Sequence, residues 1–163
     1  MLIEFKDLFT KQKELDLDIQ ERHNVTYENT MSRRSLSLLV EIGELANATR
    51  CFKYWSNKPS ESKERVYDEY ADGLHFLLSL GIALNVKVTN YVMEKAEEDL
   101  TYLFLAMYDS VLTFVSTKDE KDYVKSFEIY LKIADKLGMS KDDIFESYLL
   151  KLGENYHRQE TNY

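Results

Sequence analysis

Cysteine occurs once in this 163-residue chain, proline once, tryptophan once, histidine three times and glycine five times. The lone Cys51 has no partner for an intramolecular disulfide. With no signal-peptide pattern at the N-terminus, a reducing cytoplasm is the expected location. So few glycines and prolines argue against a β-rich fold, which needs many tight turns. No apolar run reaches the length that spans a bilayer, so no membrane partner is expected. Positive charge is also short: 21 Lys and Arg face 29 Asp and Glu, a formal net charge of −8. That balance argues against broad nonspecific binding to nucleic acid. It leaves a nucleotide open, because a metal cluster reverses the field at one site.

The chain does have material for a core. Aromatic residues make up 13%, including 12 Tyr and 8 Phe. The length suits one domain, residues 1–163. Apolar positions recur at helical spacing almost throughout. The first segment runs from about Ile3 to Arg22, and a polar connection follows from His23 to Thr30. The second spans about Ser32 to Ser56, and Pro59 marks a loop. The third runs from about Ser62 to Leu84, with a break at Asn85 to Thr89. The fourth covers about Asn90 to Ser116. A polar turn from Thr117 to Lys121 offers Thr117 or Asp119 as an N-cap. The fifth segment ends near Leu137, where Gly138 fits a helix C-terminus. Ser140 with Asp143 reads as a weaker form of the capping box opening the sixth, which reaches about Gln159. The expected fold is all-α, a bundle of about six helices.

Two acidic motifs stand out, Glu41-Ile42-Gly43-Glu44 and Glu69-Tyr70-Ala71-Asp72. Each places two carboxylates three residues apart, on one helical face. The first face also carries Leu38, Leu45 and Ala48, and the second Val66, Gly73, Phe76 and Leu80. Carboxylates buried without partners are costly, and four converging repel one another. A hard cation between the two helices resolves both problems, which makes Glu41, Glu44, Glu69 and Asp72 candidate ligands for Mg²⁺, with Mn²⁺ as a substitute. The plainer alternative pairs these acids with Lys or Arg, or leaves them at a solvated edge. A di-iron site is the competing metal reading; it calls for two Glu-x-x-His pairs. Here Asp72-x-x-His75 has no second, and His23 and His157 lie in unrelated contexts.

The order ExxE, loop-containing spacer, ExxD resembles the all-α nucleoside triphosphate pyrophosphatases, which include the MazG-type enzymes and the dimeric dUTPases. Three further stretches are similar to the dimeric dUTPases, and the compact length and the run Val40-Glu41-Ile42-Gly43-Glu44-Leu45-Ala46-Asn47 look most like those of Gram-positive bacteria and their phages. Gln12-Lys13-Glu14-Leu15-Asp16 resembles their N-terminal base-side motif, with Asp16 where many members have Asn. Phe52-Lys53-Tyr54-Trp55 resembles their aromatic-Lys-x-Trp segment, with Phe52 in place of the common Trp, and Asp72-Gly73-Leu74-His75-Phe76 matches D-x-x-H-F. Lys151, Asn155, Arg158 and Tyr163 match K-x-x-x-N-x-x-R-Q-x-x-G-Y, with Asn162 for the usual Gly.

The resemblance implies a homodimeric dUTP diphosphatase that hydrolyses dUTP to dUMP and pyrophosphate, and dUDP to dUMP and phosphate, by attack at the β-phosphorus. Glu41 is the candidate to orient or deprotonate the water. Gln12, Trp55, His75 and Phe76 are expected on the uracil side, the amide of Gln12 offering a donor and an acceptor. Lys53 or Lys58, with Lys151, Asn155 and Arg158, are expected at the phosphates. Tyr163 is expected against the deoxyribose. Segments four and five are expected to serve as scaffold and dimer surface. A regulatory protein is a conceivable partner in a phage setting, and no residue here specifies one. Two rivals stand beside this reading: another all-α pyrophosphatase acting on dCTP or a modified nucleotide, and a noncatalytic helical interaction module.

Overall fold

A computed structural model describes residues 1–162. Six helices dominate: α1 (Lys6–His23), α2 (Met31–Thr49), α3 (Lys63–Ala83), α4 (Leu100–Thr117), α5 (Glu120–Lys136) and α6 (Lys141–Glu160). The all-α expectation holds. Two three-residue strands, β1 (Leu2–Glu4) and β2 (Asn90–Val92), add an antiparallel ribbon with Ile3 opposite Tyr91. The expected first and fourth segments therefore begin with strand, and α4 starts only at Leu100, capped by Asp99 accepting from Tyr102 N–H at 2.8 Å.

The helix ends follow their caps. The Asp119 carboxylate accepts from Lys121 N–H and opens α5, and Ser140 with Asp143 forms the full capping box of α6. Gly138 takes a φ of +78° just beyond α5, a conformation that glycine adopts without strain. α2 stops earlier than its apolar pattern suggests. Arg50 turns left-handed (φ 58°) and its guanidinium reaches forward to the Lys58 carbonyl at 3.3 Å and Ser56 Oγ at 2.8 Å. Residues 51–61 are thereby stapled as a loop, and Phe52, Tyr54 and Trp55 lie outside the helix.

α2 packs on α3, α4 on α5, and α6 and α1 close over α3. The core runs through all of them, from Phe5 and Leu8 through Leu38, Ile42, Leu74 and Leu77 to Phe127, Tyr130 and Tyr148. Tyr70 and Tyr130 stack at 4.3 Å, and each hydroxyl donates to the other's backbone carbonyl, at 3.0 and 2.7 Å. Gly73 makes this possible, because a Cβ there would fall on the Tyr130 hydroxyl. The α3 backbone carrying Asp72 is thus clamped from behind by α5.

α4 is the one described helix long and apolar enough to cross a membrane, 18 residues with mean hydropathy 1.3, where the sequence reading found no such run. Its buried residues Leu103, Phe104, Met107, Val111 and Phe114 recur on one face, as in a bundle helix packed on one side, so its composition does not mark a membrane span.

Candidate active site

The α2–α3 contact brings Glu41, Glu69 and Asp72 together, with one carboxylate oxygen of each within 4.8 Å of the others. Helix periodicity explains the convergence: Glu69 and Asp72 lie one turn apart on α3 and face Glu41 on α2. Glu69 is only 3% exposed. Glu41 Oε2 and Glu69 Oε2 are buried without a hydrogen-bond partner among the described residues. A carboxylate oxygen left this way is expensive unless it is protonated or meets a cation. Burial, then the Asp72 charge and the neighbouring Glu44, push the Glu41 carboxyl up to about 8. Burial pushes Glu69 up to about 7 although Arg65 pulls it down. Asp72 is raised too, by burial, against the pull of Lys151. An all-oxygen donor set with orphaned lone pairs fits a hard divalent cation such as Mg²⁺. Glu44 stands beside this trio, on the exposed side of α2, and lines a cavity of about 470 Å³ with Asn47, Arg65 and Glu69.

The plainer alternative is partly realised as well. The Arg65 guanidinium sits on Glu69. Lys151, 2% exposed, places Nζ 2.7 Å from Asp68, 3.2 Å from Asp72 and 3.3 Å from Glu154. Burial alone would lower the Lys151 ammonium, but Asp68 and Asp72 more than offset it and hold it above the ordinary lysine value. Without a cation, protein cations compensate the outer acids while the inner oxygens of Glu41 and Glu69 stay bare.

A cavity of about 420 Å³ opens from the carboxylates between α1, α2, α3 and α6. Glu41 and Asp72 line its mouth, Gln12, His75 and Phe76 its wall, and Asn155 and Arg158 its α6 side. The ten residues expected from sequence to touch substrate divide as follows. Gln12, His75, Phe76, Asn155 and Arg158 come together around one cavity, and Lys151, off its lining, is held by carboxylates that include Asp72. Trp55 (64% exposed), Lys53 and Lys58 sit on the 51–61 loop and do not line it. Tyr163 lies outside the described residues.

Several lining residues were not singled out from sequence. Arg34 is seven residues before Glu41, two helical turns along the same face. Ser79 is likewise seven residues beyond Asp72. Both sit on the cavity with Arg33, Ser37 and Thr30. That spacing was the available signal. His75 is buried and neutral: desolvation holds its imidazole down at about 3. It stacks on Tyr148 with ring centroids 4.2 Å apart.

The raised carboxyls give the metal-free protein a signed pH dependence. Where the folded carboxyl keeps a proton that the unfolded chain has lost, stability falls as pH rises. For Glu41 this window runs from 4.5 to about 8. His75 works in the opposite direction, but only between about 3 and 6.5. Between pH 6.5 and 8 the carboxyls act alone. Thermal melting in EDTA is expected to show a Tm that declines across that interval, and stabilisation by excess Mg²⁺ that grows across it. A Tm in EDTA that is level or rising there would contradict the buried trio.

The family model for dUTPase matches residues 4–163, nearly the whole chain. The chain belongs to the dUTPase family. A search of curated proteins returned no match. The match runs through α1, the acidic pair of helices and α6, the elements that build the cavity. This dUTPase is a hydrolase, a dUTP diphosphatase; dUTPases generally use Mg²⁺, and the acidic trio is a group that could hold a metal ion.

Proposed function

We propose that this dUTPase hydrolyses dUTP by Mg²⁺-assisted attack of water on the β-phosphorus, with Glu41, Glu69 and Asp72, joined by Glu44, as the metal ligands. The observation that carries this reading is the pair of bare, buried oxygens on Glu41 and Glu69, with Glu41 also lining the cavity of about 420 Å³. Bound there, Mg²⁺ would neutralise phosphate charge and acidify water. Mn²⁺, with similar oxygen preference, would substitute. Glu41 takes the proton of the attacking water. The water oxygen bonds to the β-phosphorus, the bond from that phosphorus to the α–β bridging oxygen breaks, and the bridging oxygen leaves with dUMP. The same step on dUDP yields dUMP and phosphate.

Gln12, His75 and Phe76 form the base wall, and Asn155 and Arg158 orient the phosphates, with Lys151 released from Asp68 and Glu154 to join them. We read the protein as one unit over residues 1–163 that acts as a homodimer. Exposed apolar stripes support this: Leu36 and Val40 on α2, and Tyr102, Leu105 and Leu112 on α4. Lys53, Trp55 and Lys58, off the cavity of their own chain, are assigned to the partner's site. The net charge of −8 supports a small-molecule substrate rather than a nucleic acid.

Product analysis tests the reading. With Mg²⁺, dUTP and dUDP are each expected to give dUMP, with little turnover of dTTP, dCTP or UTP, and EDTA is expected to stop both reactions. Release of dUMP from dUTP but not from dUDP would refute attack at the β-phosphorus. Preferred turnover of dCTP would overturn the base wall, and absence of any turnover would favour a binding role.

A further inference from the structure

Asp16 is the most heavily engaged side chain at the base wall, and it is 3% exposed. Its Oδ2 accepts from Ser79 Oγ at 2.8 Å and from the Tyr27 hydroxyl at 2.9 Å. Its Oδ1 accepts from Gln12 Nε2 at 2.9 Å and faces the Arg34 guanidinium at 3.5 Å. Arg34 in turn donates to Ser79 Oγ and, at 2.8 Å, to Thr30 Oγ1. A carboxylate with this many donors has no capacity left for a base, so Asp16 acts through what it holds.

What it holds is the Gln12 amide, whose two ends are close in shape and opposite in chemistry. A carboxylate only accepts, so the NH₂ of Gln12 must face Asp16 and the carbonyl must face away. Gln12 Oε1 then meets His75 Nδ1 at 2.5 Å and the Tyr148 hydroxyl at 3.0 Å. Both must donate, and together they use both lone pairs of Oε1. A neutral imidazole that donates from Nδ1 is unprotonated at Nε2, which faces the Tyr148 carbonyl at 3.4 Å. Left to itself, the ring would gain by carrying its proton on Nε2 and donating to that carbonyl. The charge on Asp16 decides otherwise.

We propose that Asp16 is a positioning residue which, through Gln12, fixes His75 as the Nδ1–H tautomer and leaves the base wall one unspent polar group, the second N–H of Gln12. This deepens the reading that Gln12 meets the base and rests on it. A wall that only donates accepts a carbonyl oxygen and repels an amino group. Uracil and cytosine differ in just this way at C4. The sequence expectation that Gln12 offers both a donor and an acceptor is thereby narrowed to the donor.

The test has a spectroscopic arm and a kinetic arm. Long-range ¹H–¹⁵N spectra of the metal-free protein, with His75 assigned by loss of its signals in His75→Gln, are expected to show the Nδ1–H tautomer. In Asp16→Asn the neutral amide can turn, Gln12 can turn with it, and the Nε2–H form is expected to appear. The ratio of kcat/KM for dUTP over dCTP is expected to fall by about tenfold or more, the effect of one mispaired buried hydrogen bond. An Nε2–H tautomer in the unsubstituted protein overturns the proposal without recourse to any variant that has to fold. An unchanged ratio in Asp16→Asn overturns it as well. Gln12→Leu separates the two layers. If it lowers the ratio while Asp16→Asn does not, only the role of Asp16 falls. If it leaves the ratio unchanged, Gln12 does not meet the base and both readings fall.

Discussion

Glu41→Gln is expected to lower dUTP hydrolysis by on the order of a hundredfold or more, while making the metal-free protein more stable. The two effects have one cause. Glu41 Oε2 is buried and unpaired, and above about pH 8, where Glu41 ionises, Glu69 and Asp72 repel its charge. Glutamine has nearly the same shape and no charge, and its NH₂ can donate to a facing carboxylate. The substitution therefore removes repulsion and satisfies an orphan oxygen. It also removes a ligand and the acceptor for the water's proton. Melting in EDTA and kcat/KM in Mg²⁺ should move in opposite directions. A stability that falls along with activity would mean that Glu41 is held by partners the geometry does not contain.

Lys151→Met is the counterpart, with a loss expected in metal-free stability. Lys151 sits among Asp68, Asp72 and Glu154 with almost no contact with water. Removing its charge takes from Asp72 the ammonium that pairs with it, while Asp68 keeps Arg65 at 3.4 Å and Glu154 keeps Arg158 at 2.6 Å. Asp68 and Glu154 are partly solvated, which moderates the cost to about 2 kcal/mol. Urea denaturation in EDTA measures it. Unchanged stability with a raised KM for dUTP would make Lys151 a phosphate ligand and nothing more.

The sequence revealed the helices more readily than the seams between them. Apolar residues three and four apart located all six, and Asp119, Ser140 and Asp143 marked two of their starts where the caps are found. β1 and β2 were invisible because three residues give no alternation to measure. α2 was read too long because Phe52, Tyr54 and Trp55 continue an apolar pattern beyond Arg50, whose left-handed turn no glycine announces. The acidic trio was legible because helix spacing forces Glu69 and Asp72 onto one face. The cation that holds Asp72 was legible only as a family motif. Lys151 reaches Asp72 through the docking of α6, which no local pattern encodes. Asp16 looked like a departure from a base-binding motif. Its role depends on Ser79, Tyr27 and Arg34 from three other parts of the chain, and on a tyrosine near the far end.

The β1–β2 ribbon gives the two halves of the site different folding histories. Glu41, Glu69 and Asp72 come from successive helices joined by the loop over residues 50–62, so their meeting closes a modest stretch of chain. Gln12 and Asp16 ride on α1, which is fixed by the pairing of Ile3 with Tyr91 and by contacts with α3 and α6. Closing those longer loops costs about 0.6 kcal/mol more for each doubling of length and needs partners distant in the chain. The metal pocket is thus expected to form early, as a local product of folding, and the base pocket later, when both ends of the chain reach α3.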